Sequence, residues 1–203
     1  MSKVYSLPNV LTISRLLIIP VIIMVFYLPI QAGHYVATGL FILASLTDWL
    51  DGYLARRWGQ VTVFGAFLDP VADKVLVATS LLLLVGAKNI DYITIPAIVI
   101  VGREIVISAL RELMAEWGKR ASVAVGVLGK VKTSLQMIAI ILLLAFHPGS
   151  TWLGVLGVFC LYLAAILTIW TMVVYINIAW HELLSAEPES LPILDRSGRD
   201  KKK

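Results

Sequence analysis

The chain has 203 residues, 59% of them hydrophobic, a formal net charge of +4 and a single cysteine. An apolar share this far above the roughly 45–50% of soluble domains excludes an ordinary water-soluble globule, and one cysteine excludes an intrachain disulfide framework. A nucleic-acid partner is not expected despite the basic balance, because Lys and Arg stand between apolar blocks and at the chain ends, where they set membrane topology.

Six apolar segments follow one another at about 7–28, 35–56, 64–85, 92–113, 132–146 and 152–180, most of them near the roughly 20 residues that cross a bilayer. The first contains Pro8, Asn9 and Arg15, and no small-residue cleavage site follows it. It reads as a retained helix rather than a signal peptide. Gly33, residues 86–91 and residues 147–150 read as turns. The expected fold is an all-α integral membrane bundle of six transmembrane helices, forming one domain over 1–184. Lys3, Arg56, Arg57, Lys119, Arg120, Lys130, Lys132, Arg196, Arg199 and 201–203 fall on one side and Lys88 alone on the other, which places both termini in the cytoplasm. Residues 185–203 are polar and end in three lysines. They are expected to be a disordered tail, serving as a topology signal or drawn to anionic headgroups by about 1 kcal/mol per basic residue. Cys160 is expected to be a small buried apolar residue. Gly154 and Gly157 lack the four-residue GxxxG spacing and are expected to serve close helix packing.

The second and third segments carry four acids. Asp48, Asp51, Gly52 and Ala55 are spaced i, i+3, i+4, i+7 and form one helical stripe, while Gly65, Asp69 and Asp73 form another. Asp48 lies about 12 Å of helical rise before Arg56, inside the cytoplasmic third of the membrane rather than in a loop. An acid at the helix centre costs roughly 2.5–3.5 kcal/mol on insertion scales, and clustered carboxylates repel one another. Two divalent cations would balance the charge, and an all-oxygen donor set suits magnesium, with manganese as an alternative. Taken alone, Asp69 before Pro70 also fits a helix N-cap followed by proline at N1.

These positions, Asp48-x2-Asp51-Gly52-x2-Ala55-Arg56-x8-Gly65-x3-Asp69-x3-Asp73, resemble the signature of the CDP-alcohol phosphatidyltransferases, without a mismatch. Within that family the chain is most similar to the bacterial phosphatidylglycerophosphate synthases, through Pro8–Arg15, Gly102–Ile105 with Ser108–Glu112, and Gly129–Thr133 with Gln136. The resemblance implies a six-helix enzyme of the bacterial inner membrane with its active site facing the cytoplasm. Such an enzyme transfers phosphatidyl from CDP-diacylglycerol to glycerol 3-phosphate, and family precedent is a homodimer. It further implies that Asp48 and Asp69 bridge two magnesium ions, that Asp51 completes one and Asp73 the other, and that Asp73 is also the base. Gly52, Arg56 and Thr62 would contact the CDP group. Asn9, Thr12 and Arg15, spaced by three, either cap the first helix or contact the nucleotide pocket.

A phosphorylated acceptor needs cations beside the metals. Arg103 and Arg111 are candidates, since the guanidinium fork matches phosphate; Lys130 and Lys132 are further candidates or else topology signals. Glu104 and Glu112 could instead neutralise the arginines across helices. Arg103 and Glu104 are not expected to pair with each other, because adjacent helical residues do not share a face. Other acceptors (an inositol phosphate, serine or phosphatidylglycerol) remain open on this reading. A cation transporter is a reading from another class, disfavoured because the acids are off-centre and confined to one hairpin.

Overall fold

The computed structural model describes residues 7–29, 32–58, 63–88, 91–116 and 127–184, without the side chains of 7–10, 49–58, 63–64, 66, 87–88, 116, 127 and 183–184. The tail expected at 185–203 lies outside the described residues. Six helices make up the fold: α1 (Leu7–Tyr27), α2 (Gly33–Trp58), α3 (Val63–Lys88), α4 (Asp91–Glu116), α5 (Val127–Ala145) and α6 (Trp152–Leu184). Helix α1 packs on α2 and α3, α4 on α3 and α6, and α5 on α2, α3 and α6.

All six expected segments are helices, and two details differ. Helix α5 begins at Val127, ahead of the apolar stretch that starts near Lys132, because Lys132 is buried and paired rather than marking a helix end. Pro70 lies inside α3, so Asp69 is an interior helical residue and not an N-cap. Proline there forgoes one backbone hydrogen bond, a loss that packed helices tolerate at membrane depth. Hydroxyls within the apolar helices turn back onto their own backbone: Thr38 donates to the carbonyl of His34, Ser45 to Phe41 and Ser80 to Leu76, at 2.7–2.8 Å.

One continuous apolar core joins all six helices, and its composition reveals the chain's alternating course. It draws on Ile19–Phe26 late in α1, Phe41 and Ala44 before the acidic end of α2, and Leu76–Leu84 late in α3. Ile93–Ile100 early in α4, Ala139–Leu144 late in α5 and Cys160–Ala165 early in α6 complete it. In an up-and-down bundle the late parts of odd helices and the early parts of even helices share one end. The opposite end then receives Thr12, Arg15, Asp48, Asp69, Asp73, Arg103, Lys132 and Thr171, the polar residues that this core omits.

Helices α5 and α6 meet closely where the glycines fall. A Cβ on Gly154 would lie 2.5 Å from the carbonyl oxygen of His147, and one on Gly157 would lie 3.0 Å from Leu142 and Leu143 side chains. The expected packing role of both glycines follows, and Cys160 is buried in the core. On the outer surface, Met24, Leu82, Ile95, Ile98 and Ile166 are each more than 60% exposed. A belt of large exposed aliphatics is costly in water and suits lipid. Among the described residues, α4, α5 and α6 contain stretches long and apolar enough to cross a membrane, at Asp91–Ala115, Leu128–Ala145 and Trp152–Glu182.

Candidate active site

Helix α1 braces the acids. Arg15 is fully buried, and its Nη1 donates to Asp48 Oδ1 at 2.6 Å. One turn earlier, the buried Thr12 hydroxyl donates to Asp69 Oδ1. The spacing of three puts both donors on one face of α1, between α2 and α3. Thr12 therefore touches an acid of the signature, and its hydroxyl is turned to Asp69 on another helix rather than to a cap of its own helix. Arg15 likewise is an interior partner of Asp48 rather than a cap.

Asp73, one turn beyond Asp69, lies within electrostatic reach of Asp48, Glu104, Arg15 and Lys74. Asp51, Gly52 and Arg56 are on α2 with side chains outside the described residues, as is that of Asn9 on α1; Thr62 lies outside them altogether. Among the described residues no three acids converge closely enough to hold a metal ion by themselves. The chemistry of the donors nevertheless fits a hard divalent cation. All are carboxylates, and the bonds from Thr12 and Arg15 fall on Oδ1 of Asp69 and Asp48.

Beside Asp73 a cavity of about 420 Å³ opens between α3, α4, α5 and α6. Its walls carry the cations Lys74, Arg103, Arg111 and Lys132 and the carboxylates Asp73 and Glu104, with Thr133, Thr171 and Tyr175 among the remaining lining residues. Three of the four expected phosphate-binding residues are thus brought together. Lys130 is not: it is exposed on α5 and is absent from the cavity wall.

Three of the cavity's cations have side-chain partners, and two of them share one oxygen. Glu104 Oε1 accepts from Arg103 Nη1 at 3.0 Å and from Lys132 Nζ. The expectation that Arg103 and Glu104 do not pair is therefore wrong. Adjacent Cβ atoms do point apart, but the long arginine stem spans the gap, and Lys132 from α5 meets the same oxygen. Arg103 Nη2 reaches Thr171 Oγ1 at 3.3 Å, and Arg111 Nη2 donates to the Tyr175 hydroxyl at 3.0 Å. Both guanidinium carbons lie near the Tyr175 ring, at 6.0 Å for Arg103 and 5.2 Å for Arg111, so one aromatic ring neighbours two like charges. Thr171 and Tyr175 escaped the reading by residue charge. Their signal was a polar stripe, Thr168, Thr171 and Tyr175 at i, i+3, i+7, on an otherwise apolar helix.

Comparison with known proteins agrees with this arrangement. The family model described as CDP-alcohol phosphatidyltransferase matches residues 5–176. A protein of Haemophilus influenzae named CDP-diacylglycerol–glycerol-3-phosphate 3-phosphatidyltransferase is 49% identical over 180 residues, 89% of this chain and 96% of its own. Proteins of the same name from Shigella flexneri serotype 5b and Escherichia coli K12 are 48% identical over 180 residues, 89% of this chain and 98% of theirs. With the signature acids braced by one helix, a cationic cavity at their side and a match over most of its length, the chain belongs to the CDP-alcohol phosphatidyltransferase family.

Proposed function

We infer that the chain transfers the phosphatidyl group of CDP-diacylglycerol to glycerol 3-phosphate, releasing CMP and forming phosphatidylglycerophosphate. The observation that carries this reading is near-50% identity, over almost the full length of both partners, to enzymes named for that reaction. The cavity supports it: four cations against two carboxylates leave an excess positive charge suited to a phosphate monoester dianion.

Asp73 sits on the cavity wall, where a carboxylate can take the proton of the acceptor's primary hydroxyl. Arg103, Arg111 and Lys132 hold the acceptor phosphate and so orient that hydroxyl. As the bond from the acceptor oxygen to the diacylglycerol-bearing phosphorus forms, the bond from that phosphorus to the CMP oxygen breaks. The acids Asp48, Asp51, Asp69 and Asp73 would hold two magnesium ions, which when bound supply charge stabilisation at the diphosphate. Gly52, Arg56 and Thr62 would hold the CDP group, with Asn9 near it. The six helices would all cross the bacterial inner membrane, with both termini and the site on the cytoplasmic side and a second copy completing a homodimer. The lysine distribution and the exposed aliphatic belt support the first part of that arrangement.

The deciding assay supplies purified protein with CDP-diacylglycerol, magnesium and a panel of alcohols, and follows CMP. Release with glycerol 3-phosphate is expected. No release with any alcohol would overturn the enzyme reading, and release only with unphosphorylated alcohols would overturn the acceptor.

A further inference from the structure

The acceptor's two ends are accounted for by the cations and by Asp73, which leaves its middle carbon. Glycerol 3-phosphate carries there a secondary hydroxyl that takes no part in the reaction. Glu104 lines the cavity that would hold that hydroxyl. Its Oε1 is bonded to two cations assigned to the phosphate, and its charge reaches Asp73 at the other end.

The two carboxylate oxygens of Glu104 are not equivalent. Oε1 accepts both hydrogen bonds, from Arg103 and from Lys132, whereas Oε2 accepts none among the described residues. The side chain keeps 25% of its surface exposed, while Lys132 keeps 1%. A carboxylate with one anchored and one uncommitted oxygen is a fixed hydrogen-bond acceptor, able to take a donor and unable to offer one.

We propose that Glu104 is a specificity-determining residue that reads the secondary hydroxyl of glycerol 3-phosphate through Oε2, its orientation set by Arg103 and Lys132 through Oε1. The proposal rests on the acceptor reading above and adds a requirement to it: the acceptor's middle carbon must bear a hydrogen-bond donor. A site built to bond a substrate hydroxyl rejects analogues lacking it, because its own polar group is then left unpaired. A hydrogen bond to a charged group corresponds to a factor of roughly 10–100 in discrimination.

The test compares kcat/KM for CMP release with three acceptors: glycerol 3-phosphate, 3-hydroxypropyl phosphate, which lacks the middle hydroxyl, and dihydroxyacetone phosphate, which has a carbonyl there. The wild type is expected to favour the first over each of the others by about 10- to 100-fold. Glu104→Gln is expected to shrink the ratio of the first to the second about tenfold, since a neutral partner bonds more weakly, with the KM for CDP-diacylglycerol unchanged. Glu104→Asp, one methylene shorter, should shrink that ratio too. A purely structural Glu104 would lower all acceptors together and leave the ratios as they were, and that result overturns the proposal. So does a wild type that uses either analogue as well as glycerol 3-phosphate, a result that needs no variant to fold. No CMP from glycerol 3-phosphate at all would instead sink the acceptor reading.

Discussion

Thr12 and Arg15 show how much a single α1 residue can contribute to a site formed by other helices. Each holds one oxygen, Oδ1, of a signature aspartate. Partners one shell out from a metal typically change its affinity by 10–100-fold. On the proposed metal assignment, Thr12→Val is therefore expected to weaken manganese binding about tenfold, read by titration against the spin-resonance signal of free Mn²⁺. An unchanged affinity would reduce Thr12 to a packing residue. Asp73→Asn is isosteric and removes the proposed base. Turnover should be lost while CDP-diacylglycerol still binds, and near-normal CMP release would remove Asp73 from that role. At this scale the acids were legible because their spacing is fixed along two helices. Thr12 was not, because a hydroxyl in an apolar helix has many possible partners and only the fold selects Asp69 among them.

Helix α6 behaves as two elements in one. Its early part is core, and its late part carries Thr171 and Tyr175 to the cationic cavity. Tyr175→Phe keeps the ring beside the guanidiniums and loses the hydrogen bond to Arg111. The KM for glycerol 3-phosphate should rise several-fold with that for CDP-diacylglycerol unchanged, as loss of a bond to a charged group implies; a parallel rise in both would contradict the placement. Early in the same helix, Gly154→Ala would drive a methyl into the backbone of the turn at His147 and Pro148. Overpacking of this kind costs about 1–3 kcal/mol and should appear as a lower thermal midpoint in detergent. An unchanged midpoint would mean that the turn moves aside freely. The helices themselves could be read from apolar runs of membrane length. The start of α5 could not, because a lysine looks like an end signal until the glutamate that receives it is placed on another helix.

Across the whole molecule, the separation of core and site follows from alternation. Every helix contributes apolar residues to one end, and the chemistry gathers at the other. On the proposed topology, the Lys and Arg bias along the chain turns that second end toward the cytoplasm. Because Cys160 is the single cysteine and is buried, introduced cysteines report cleanly. Lys88→Cys should react with an impermeant maleimide in intact spheroplasts, and a cysteine at Ser185 only after lysis; the reverse pattern would invert the bundle. The sidedness expectation rests on lysine and arginine counts, and this labelling tests it. The cavity was not, since its walls come from four helices and its spacing is set by packing rather than by distance along the chain.

The pairing of Arg15 with Asp48 also bears on biogenesis. Arg15 leaves the ribosome more than thirty residues ahead of its carboxylate, in a helix that settles among lipids on the proposed topology. An arginine at a helix centre costs about 2.5–3.5 kcal/mol on insertion scales, and its counter-ion arrives only with the end of α2. On the proposed six-span topology, entry of α1 into the bilayer is thus coupled to synthesis of α2, and the first two helices are committed as a hairpin. The site's electrostatics then shape the order of assembly before any substrate is met.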